Sequence, residues 1–426
     1  MASILTNTSA MTALQTLRGI NSNLEKTQAE ISTGKSVNSA KDNAAVFAIS
    51  KVMESDVKGF KAISDSLSLG ESTVAVARTA SETVTDLLTD IKSKIVAAQE
   101  QNVDREKIQT DIVALRNQIT SVVGAAQFNG LNLLSNTSTT AGSGTVNVLS
   151  SLDRASDGSV TASNIAVGKQ DLGTGAAVIG TTAVAAASDQ LTGTANGTAT
   201  ALTGNATTAP TQVVTVDSVS AGAGFTIAIT GSAGNLALNT AASSDISFVA
   251  RDGDTVTDVA QGLADAFNAF IAENAGADAS TITAAVTDTG EITFTGSSVA
   301  GDNFSINVQE IDATENTIGG GLAALAEIDV TTDAGAAGAL AAIEGLTQTA
   351  IDAAAAFGSA EGRISIQNDF VSKLSDSLKA GIGTLVDADL EQASARLQAL
   401  QVQQQLGVQA LSIANQAPQN ILALFR

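Results

Sequence analysis

The sequence predicts a mainly α protein: long coiled-coil helices from both termini form a helical bundle, and an α+β, β-rich domain is inserted between them. Three observations predict it. From Leu390 onward, small and seam-type residues recur at Ala393, Leu397, Leu400, Gln404, Gly407, Leu411 and Ala414, in alternating steps of four and three. Near the start, Leu14, Leu17, Asn21, Leu24, Gln28 and Ile31 repeat in the same alternation. That period is the heptad seam of a helix lying along another helix, so the two ends are expected to pair. Between Asn136 and Val330 the chain turns instead to Ala, Gly, Thr and Ser, with little Leu and with turn dipeptides such as Asp157-Gly158, Asn196-Gly197 and Asp252-Gly253.

The first helix is expected from the N-terminus to about residue 35, with Asn7, Thr8 or Ser9 as its cap and Gly34 as its stop. From Ala40 to about Glu100, Ala45, Ile49, Val52, Ile63, Leu67, Val74, Leu87, Leu88, Ile91 and Ile95 read as one long helix. Some 60 residues at the α-helical rise make a rod of roughly 90 Å. Gly59 and Gly70 each cost about 1 kcal/mol against Ala and mark places for a bend. After the polar Gln101–Asp104, Ile108, Ile112, Leu115, Ile119 and Val122 define a helix ending near Gly124, and Gln127–Leu134 reads as an exit turn or short hairpin. On the far side of the middle segment, Ala339–Leu385 keeps a seven-residue register through Ile364, Val371, Leu374, Leu378 and Leu385. Three such rods can bury one another's stripes as a bundle.

Within the middle, strands are expected over Thr211–Val219, Phe225–Thr230, Thr281–Val286, Glu291–Thr295 and Phe304–Gln309. A helix over Thr255–Glu273 presents Val256, Val259, Leu263, Phe267, Phe270 and Ile271 on one side. Residues 136–205 read as low-complexity coil with short strands.

The last helix is apolar on more than its seam, because Leu406, Val408, Ile413, Ile421 and Leu424 fall elsewhere on its circumference. Such a helix needs partners on several sides. Polar seam residues Asn21, Gln28 and Gln404 are then expected to set register.

Composition removes most chemistry. The chain has no Cys and no His, so it carries no disulfide, no thiol nucleophile, no Cys/His zinc site and no imidazole acid or base. No enzyme activity, cofactor or metal is expected. The formal charge is −22, which argues against nucleic acid. Between 136 and 330, twenty acidic residues face three basic ones, Arg154, Lys169 and Arg251, a net of −17. No stretch approaches the roughly 18 apolar residues of a membrane span, so no membrane partner is expected. No basic, apolar leader opens the chain, which alone would suggest the cytoplasm.

Two segments resemble ligand sites and have plainer explanations. The spaced carboxylates of Arg251-Asp-Gly-Asp-Thr-Val-Thr-Asp258 lack the closing Glu of a calcium loop, and Asp254 or Thr255 is placed to cap the following helix. Gly319-Gly-Gly321 lacks the Lys and hydroxyl of a phosphate loop and reads as a flexible joint.

Both ends also carry a family resemblance. The tail Asn415-Gln-Ala-Pro-Gln-Asn-Ile-Leu-Ala-Leu-Phe-Arg426, the segment Ile31-Ser-Thr-Gly-Lys-Ser-Val-Asn-Ser-Ala-Lys-Asp-Asn-Ala-Ala45 and Gln127-Phe-Asn-Gly130 resemble the terminal motifs of bacterial flagellin. The resemblance covers roughly residues 1–135 and 330–426 and leaves the middle unmatched. It implies a structural subunit that polymerises with its own kind into the flagellar filament for motility. It also implies export unprocessed through the flagellar type III machinery to the extracellular filament, and contacts with cap and hook-junction proteins. The implied architecture is an inner coiled-coil domain from 1–40 plus 386–426, a bundle from 41–135 plus 331–385, and a surface-exposed domain from 136–330. Subunit packing is expected from Leu14, Leu17, Leu24, Ile31, Leu397, Leu400, Leu411, Ile421 and Leu424. A hook–filament junction protein shares the terminal coils and is the alternative; a secreted adhesive or carbohydrate-binding protein is a more distant one. The zinc-protease variant of the family is excluded by the absence of His.

One departure from the family stands out. Flagellins sensed by the vertebrate Toll-like receptor for flagellin carry Leu-Gln-Arg-Val-Arg-Glu-Leu-Ala-Val-Gln on the long helix, and its first Arg and second Leu make central contacts. Aligned without gaps, this chain reads Leu88-Thr-Asp-Ile-Lys-Ser-Lys-Ile-Val-Ala97. Asp90 reverses the Arg charge and Lys94 replaces the Leu. The two also stand four residues apart, the spacing of a solvated acid–base pair on one helix face.

Overall fold

The computed structural model describes residues 7–155, 159–185, 189–193, 195–233, 246–274, 281–286 and 290–424. The chain divides into two compact units. One takes in Met1–Asp65, Ser151–Thr161 and Asn368–Arg426; the other takes in Ser66–Ser150 and Ala162–Gln367.

The first unit begins with α1 (Thr8–Thr33), whose N-cap is Asn7. The Asn7 side chain accepts from the Ala10 amide at 3.0 Å, satisfying one of the free donors of the first turn. The helix stops at Gly34, which takes a left-handed φ of 69° that costs glycine nothing. Helix α2 (Ala44–Ala98) starts later than its apolar pattern suggests. Asp42 accepts from the Asn38 and Ser39 amides and holds a turn, and Asn43 then caps the helix by accepting from the Val46 amide. α2 continues through Gly59 and Gly70 without interruption. Helix α5 (Asp333–Val386) ends in this unit and is followed by α6 (Leu390–Leu424). The α1–α2 and α5–α6 turns are tied together: the backbones of Lys35 and Asp387 form an isolated antiparallel β-bridge, the Ser36 amide donates to Val386 O at 2.7 Å, and the Ala388 amide donates to Gly34 O at 2.9 Å.

In the second unit, the rest of α2 buries Leu67, Val74, Ala77, Ser81, Val84, Leu88, Ile91 and Ile95. Helix α3 (Arg105–Ala125), capped by Asp104, buries Ile112, Ile119 and Val123. The α5 segment in this unit buries Ile343, Ala350, Phe357 and Ile364. These stripes keep spacings of three, four and seven, as packed helices require. Ion pairs join the helices at the rim: Lys94–Asp111 links α2 to α3, and Lys92–Glu344 and Arg78–Glu361 link α2 to α5, each at 2.6 Å. α5 begins six residues before Ala339, because Thr332 accepts from the Gly335 amide and makes an Ala/Gly-rich stretch helical.

The exit after α3 is a hairpin, β1 (Gln127–Phe128) with β2 (Leu131–Asn132). Asn129 and Gly130 turn it with φ of 50° and 80°, the two left-handed residues of a tight hairpin. The expectation of coil with short strands over 136–205 is corrected in part here, because two of the strands are long. β3 (Thr145–Arg154) and β4 (Val160–Gly168) form a two-stranded sheet of ten and nine residues, and β5 (Leu191–Gly193) and β6 (Thr200–Thr203) join larger sheets. Alternation across Val146, Val148 and Ser150 is present in β3, but its Asn and Ser content masks the strand.

The remaining elements are β7 (Thr211–Val216), β8 (Gly224–Ala233), β9 (Ser247–Val249), α4 (Val256–Asn274), β10 (Thr283–Val286), β11 (Glu291–Thr295) and β12 (Asn303–Ile311). They build two four-stranded sheets, ordered β10-β11-β7-β5 and β6-β12-β8-β9. Both sheets and α4 share one apolar core containing Phe225, Val259, Leu263, Phe267, Phe294 and Phe304. The rings of Phe267 and Phe294 meet edge to face at 5.1 Å.

Candidate functional site

The candidate site is the pair formed by the two terminal helices. α1 and α6 run antiparallel: Asn7 Nδ2 donates to Ala414 O at 2.8 Å, and Gln404 Nε2 donates to Asn21 Oδ1 at 2.8 Å. Between these bonds, Gly407 lies under Leu17, so close that a Cβ would stand 2.8 Å from Leu17 Cδ1. The Asn21–Gln404 bond gives two seam amides a mutual partner and penalises any shift of one helix along the other.

The seam of α6 consists of buried Ala393 and Leu400 with half-buried Leu397, Gln404, Gly407, Leu411 and Ala414. On α1, Leu17, Asn21, Leu24 and Ile31 are half-buried. Two expected seam positions differ. Leu14 is 39% exposed and Gln28 is exposed, and Ala13 and buried Thr27 face inward instead. Small side chains at Ala13 and Gly407 let the helices approach, and Thr27 is satisfied by donating its hydroxyl to Asn23 O at 2.9 Å. Leu14 therefore sits on the outside of the pair. The side chains of Ile421 and Leu424 lie outside the described residues.

Away from the seam, the pair presents Met11, Leu14, Leu390, Val402, Leu406, Val408 and Ile413 to solvent. A two-helix surface this apolar is unusual for a subunit that stays single. Because Leu17 fills the space over Gly407, Gly407→Leu is expected to force the helices apart, at about 1–3 kcal/mol of overpacking. A raised threshold for self-assembly, read by sedimentation after seeding, is the measurement.

The segment read against the receptor motif lies on α2. Asp90 is exposed. Lys94 does not pair with it; its ammonium bonds the Asp111 carboxylate of α3 at 2.6 Å. The expected acid–base pair along one helix face is thus corrected to a bond between helices.

The acidic loop before α4 is a capping device. Thr255 donates its amide and hydroxyl to Asp258 Oδ2, both at 2.7 Å, and its hydroxyl accepts from the Asp258 amide, a reciprocal cap. Asp254 accepts from the Arg251 amide at 2.8 Å, and burial above all holds its carboxyl above the usual range. Arg251 reaches Gly319 O at 3.1 Å and Asp171 at 3.6 Å. Asp171 accepts from the Asn136 amide, and Asn136 Nδ2 donates to Asp252 O at 2.9 Å. This buried clasp joins four distant segments. Gly319–Gly321 belongs to it and is not a flexible joint: a Cβ on Gly320 would overlap the Gly173 carbonyl, and one on Gly321 the Asp171 carbonyl. Sequence reasoning misses the clasp because its members stand far apart in the chain. Arg251, one of three basic residues among twenty acids, is the available signal.

Among the described residues, no helix is long and apolar enough to cross a membrane. Residues 4–139 match the bacterial flagellin N-terminal helical region, and residues 340–425 match the bacterial flagellin C-terminal helical region. The chain is 36% identical to flagellin A and 37% identical to flagellin B of Rhizobium meliloti, with all of each chain covered. It is 31% identical, again over all of both chains, to a flagellin of Brucella melitensis. Among solved structures, the flagellar hook associated protein-3 of Legionella pneumophila aligns over 79% of this chain and 98% of its own, with 13% identity and a TM-score of 0.35, a likeness too slight to carry an argument. Relatives of this identity along the whole chain place the protein among the bacterial flagellins, as a structural subunit of the flagellar filament.

Proposed function

We propose that the α1–α6 pair is the part of this subunit that builds the filament's inner tube. The observation that carries this reading is a helix pair whose seam is internally satisfied while Met11, Leu406, Val408 and Ile413 face outward. Copies packed side by side cover that surface. In this reading residues 1–40 plus 386–426 form the inner coiled coil, 41–135 plus 331–385 a surrounding bundle, and 136–330 the outer domain. Leu17, Leu24, Ile31, Leu397, Leu400 and Leu411 hold the pair together, and Leu14, Ile421 and Leu424 pack against neighbours. The acidic outer domain keeps filaments apart in solution. The subunit leaves the cell through the flagellar export machinery, meets cap and hook-junction proteins, and has no enzymatic role. Full-length identity to filament flagellins favours this reading over a hook–filament junction protein.

Terminal helices gain most of their stability from packing. Mild proteolysis is therefore expected to trim both ends of free subunits and to spare them in filaments. Equal protection in the two states would rule the reading out. Replacing residues 140–325 by a short Gly-Ser linker is expected to leave polymerisation intact, as seen by electron microscopy, because the outer sheets have a core of their own.

The same subunit is proposed to escape the vertebrate flagellin receptor. Interfaces concentrate their energy in a few anchors, and here one anchor is the reversed charge Asp90 and the other is Lys94, already bonded to Asp111. Receptor-reporter cells given free subunit are expected to stay silent, and Asp90→Arg with Lys94→Leu to restore part of the signal. Strong signalling by the unmodified chain would end the proposal.

A further inference from the structure

The second unit contains an apolar cleft. It has a volume of about 140 Å³ and is lined by Leu69, Gly70 and Val74 of α2 and by Leu133, Val148 and Val167. That is close to the size of a cavity of roughly 150 Å³ that accepts a benzene ring. Leu69, at its mouth, is 54% exposed. Elsewhere on the chain, α5 carries a solvent-facing stripe spaced three, four and three: Arg363, Ile366, Phe370 and Lys373. Ile366 is 73% exposed and Phe370 is 56% exposed, the most exposed phenylalanine among the described residues. An aromatic ring left in water beside a branched side chain marks a contact surface.

We propose that Phe370 of one copy docks into this cleft on a neighbouring copy, with Ile366 covering Leu69. The proposal rests on the filament reading, and it names a contact which that reading does not. An open-ended polymer needs two different, complementary patches on each subunit, and an apolar knob with an apolar hole of matching size is such a pair. Charge agrees with it. The knob is flanked by the bases Arg363 and Lys373, while the acid Asp65 stands one helical turn before Leu69 on α2. In a chain of net charge −22, a basic rim on one patch and an acidic rim on the other is a specific arrangement that favours this pairing over knob against knob.

The absence of Cys allows a direct test. A Leu69→Cys chain and a Phe370→Cys chain are mixed, co-assembled with unmodified chain so that growth depends on neither variant, and treated with a short bis-maleimide. The expected result is a mixed 69–370 dimer, identified by mass spectrometry. Its yield should exceed at least tenfold that of a 69–351 dimer made with Ile351→Cys, and it should form only after assembly. Phe370→Ala alone is expected to raise the critical subunit concentration about tenfold, which corresponds to about 1.4 kcal/mol. Normal filaments with no excess of the 69–370 product would overturn the proposal and leave the filament reading standing. Failure of the unmodified chain to form filaments would overturn both.

Discussion

Leu406→Asp combined with Ile413→Asp is expected to abolish filament growth while leaving the free subunit folded. The two side chains are 56% and 68% exposed and lie off the seam that α6 shares with α1, so neither supports the helix pair itself. In the filament each should pass from water into contact with another copy, a gain of about 1.5–3 kcal/mol for a fully buried aliphatic side chain. Aspartate forfeits that gain and adds the cost of removing a carboxylate from water. Two sites together therefore cost on the order of 4 kcal/mol or more per subunit added, which raises the critical concentration about a thousandfold. Sedimentation after seeding measures it, with circular dichroism of the free subunit as the control. Filaments appearing at the unmodified threshold would show that this face is not an interface.

The second large effect is expected at the clasp. Asp171→Ala removes the carboxylate that faces Arg251 and accepts from the Asn136 and Gly173 amides. The Arg251 guanidinium is left largely buried, with an aromatic face at Phe248 5.7 Å away and a hydrogen bond to the Gly319 carbonyl. Breaking a buried pair by removing one partner costs about 3–5 kcal/mol. Calorimetry of the subunit should show the second unit melting on the order of 10 °C lower. Asp171→Asn, which keeps an acceptor oxygen for one of the two amides, is expected to lose less. Polymerisation at low temperature is expected to survive both changes, since the clasp and the terminal helices belong to different units of the chain. An unchanged melt would mean that Arg251 relaxes into solvent.

What the sequence reveals follows from how local each signal is. The α6 seam is legible because the helical period alone specifies it: all seven positions from Ala393 to Ala414 are buried or half-buried. On α1 the same rule favours the larger apolar residue, Leu14, where close packing over a small-residue surface selects Ala13. The capping of α1 by Asn7, of α3 by Asp104 and of α4 by Thr255 depends on neighbours in sequence and is readable from them. The β3–β4 sheet and the start of α5 are obscured by composition, since Asn and Ser conceal a strand and Ala and Gly conceal a helix. The triglycine is misread because the backbone it packs against, Asp171–Gly173, is remote in the chain. Nothing in sequence spacing identifies that contact. The cleft beside Leu69 is hidden for the same reason, because its walls come from α2, β2, β3 and β4.

The most direct test of the central claim is a helical reconstruction of the assembled filament by electron cryomicroscopy. The account predicts α1 and α6 paired antiparallel at the innermost radius, with Gln404 on Asn21 and with Leu406, Val408 and Ile413 against neighbouring copies, while residues 136–330 lie outermost. A filament with the terminal helices unpaired, or with Leu406 and Ile413 facing solvent, would contradict it.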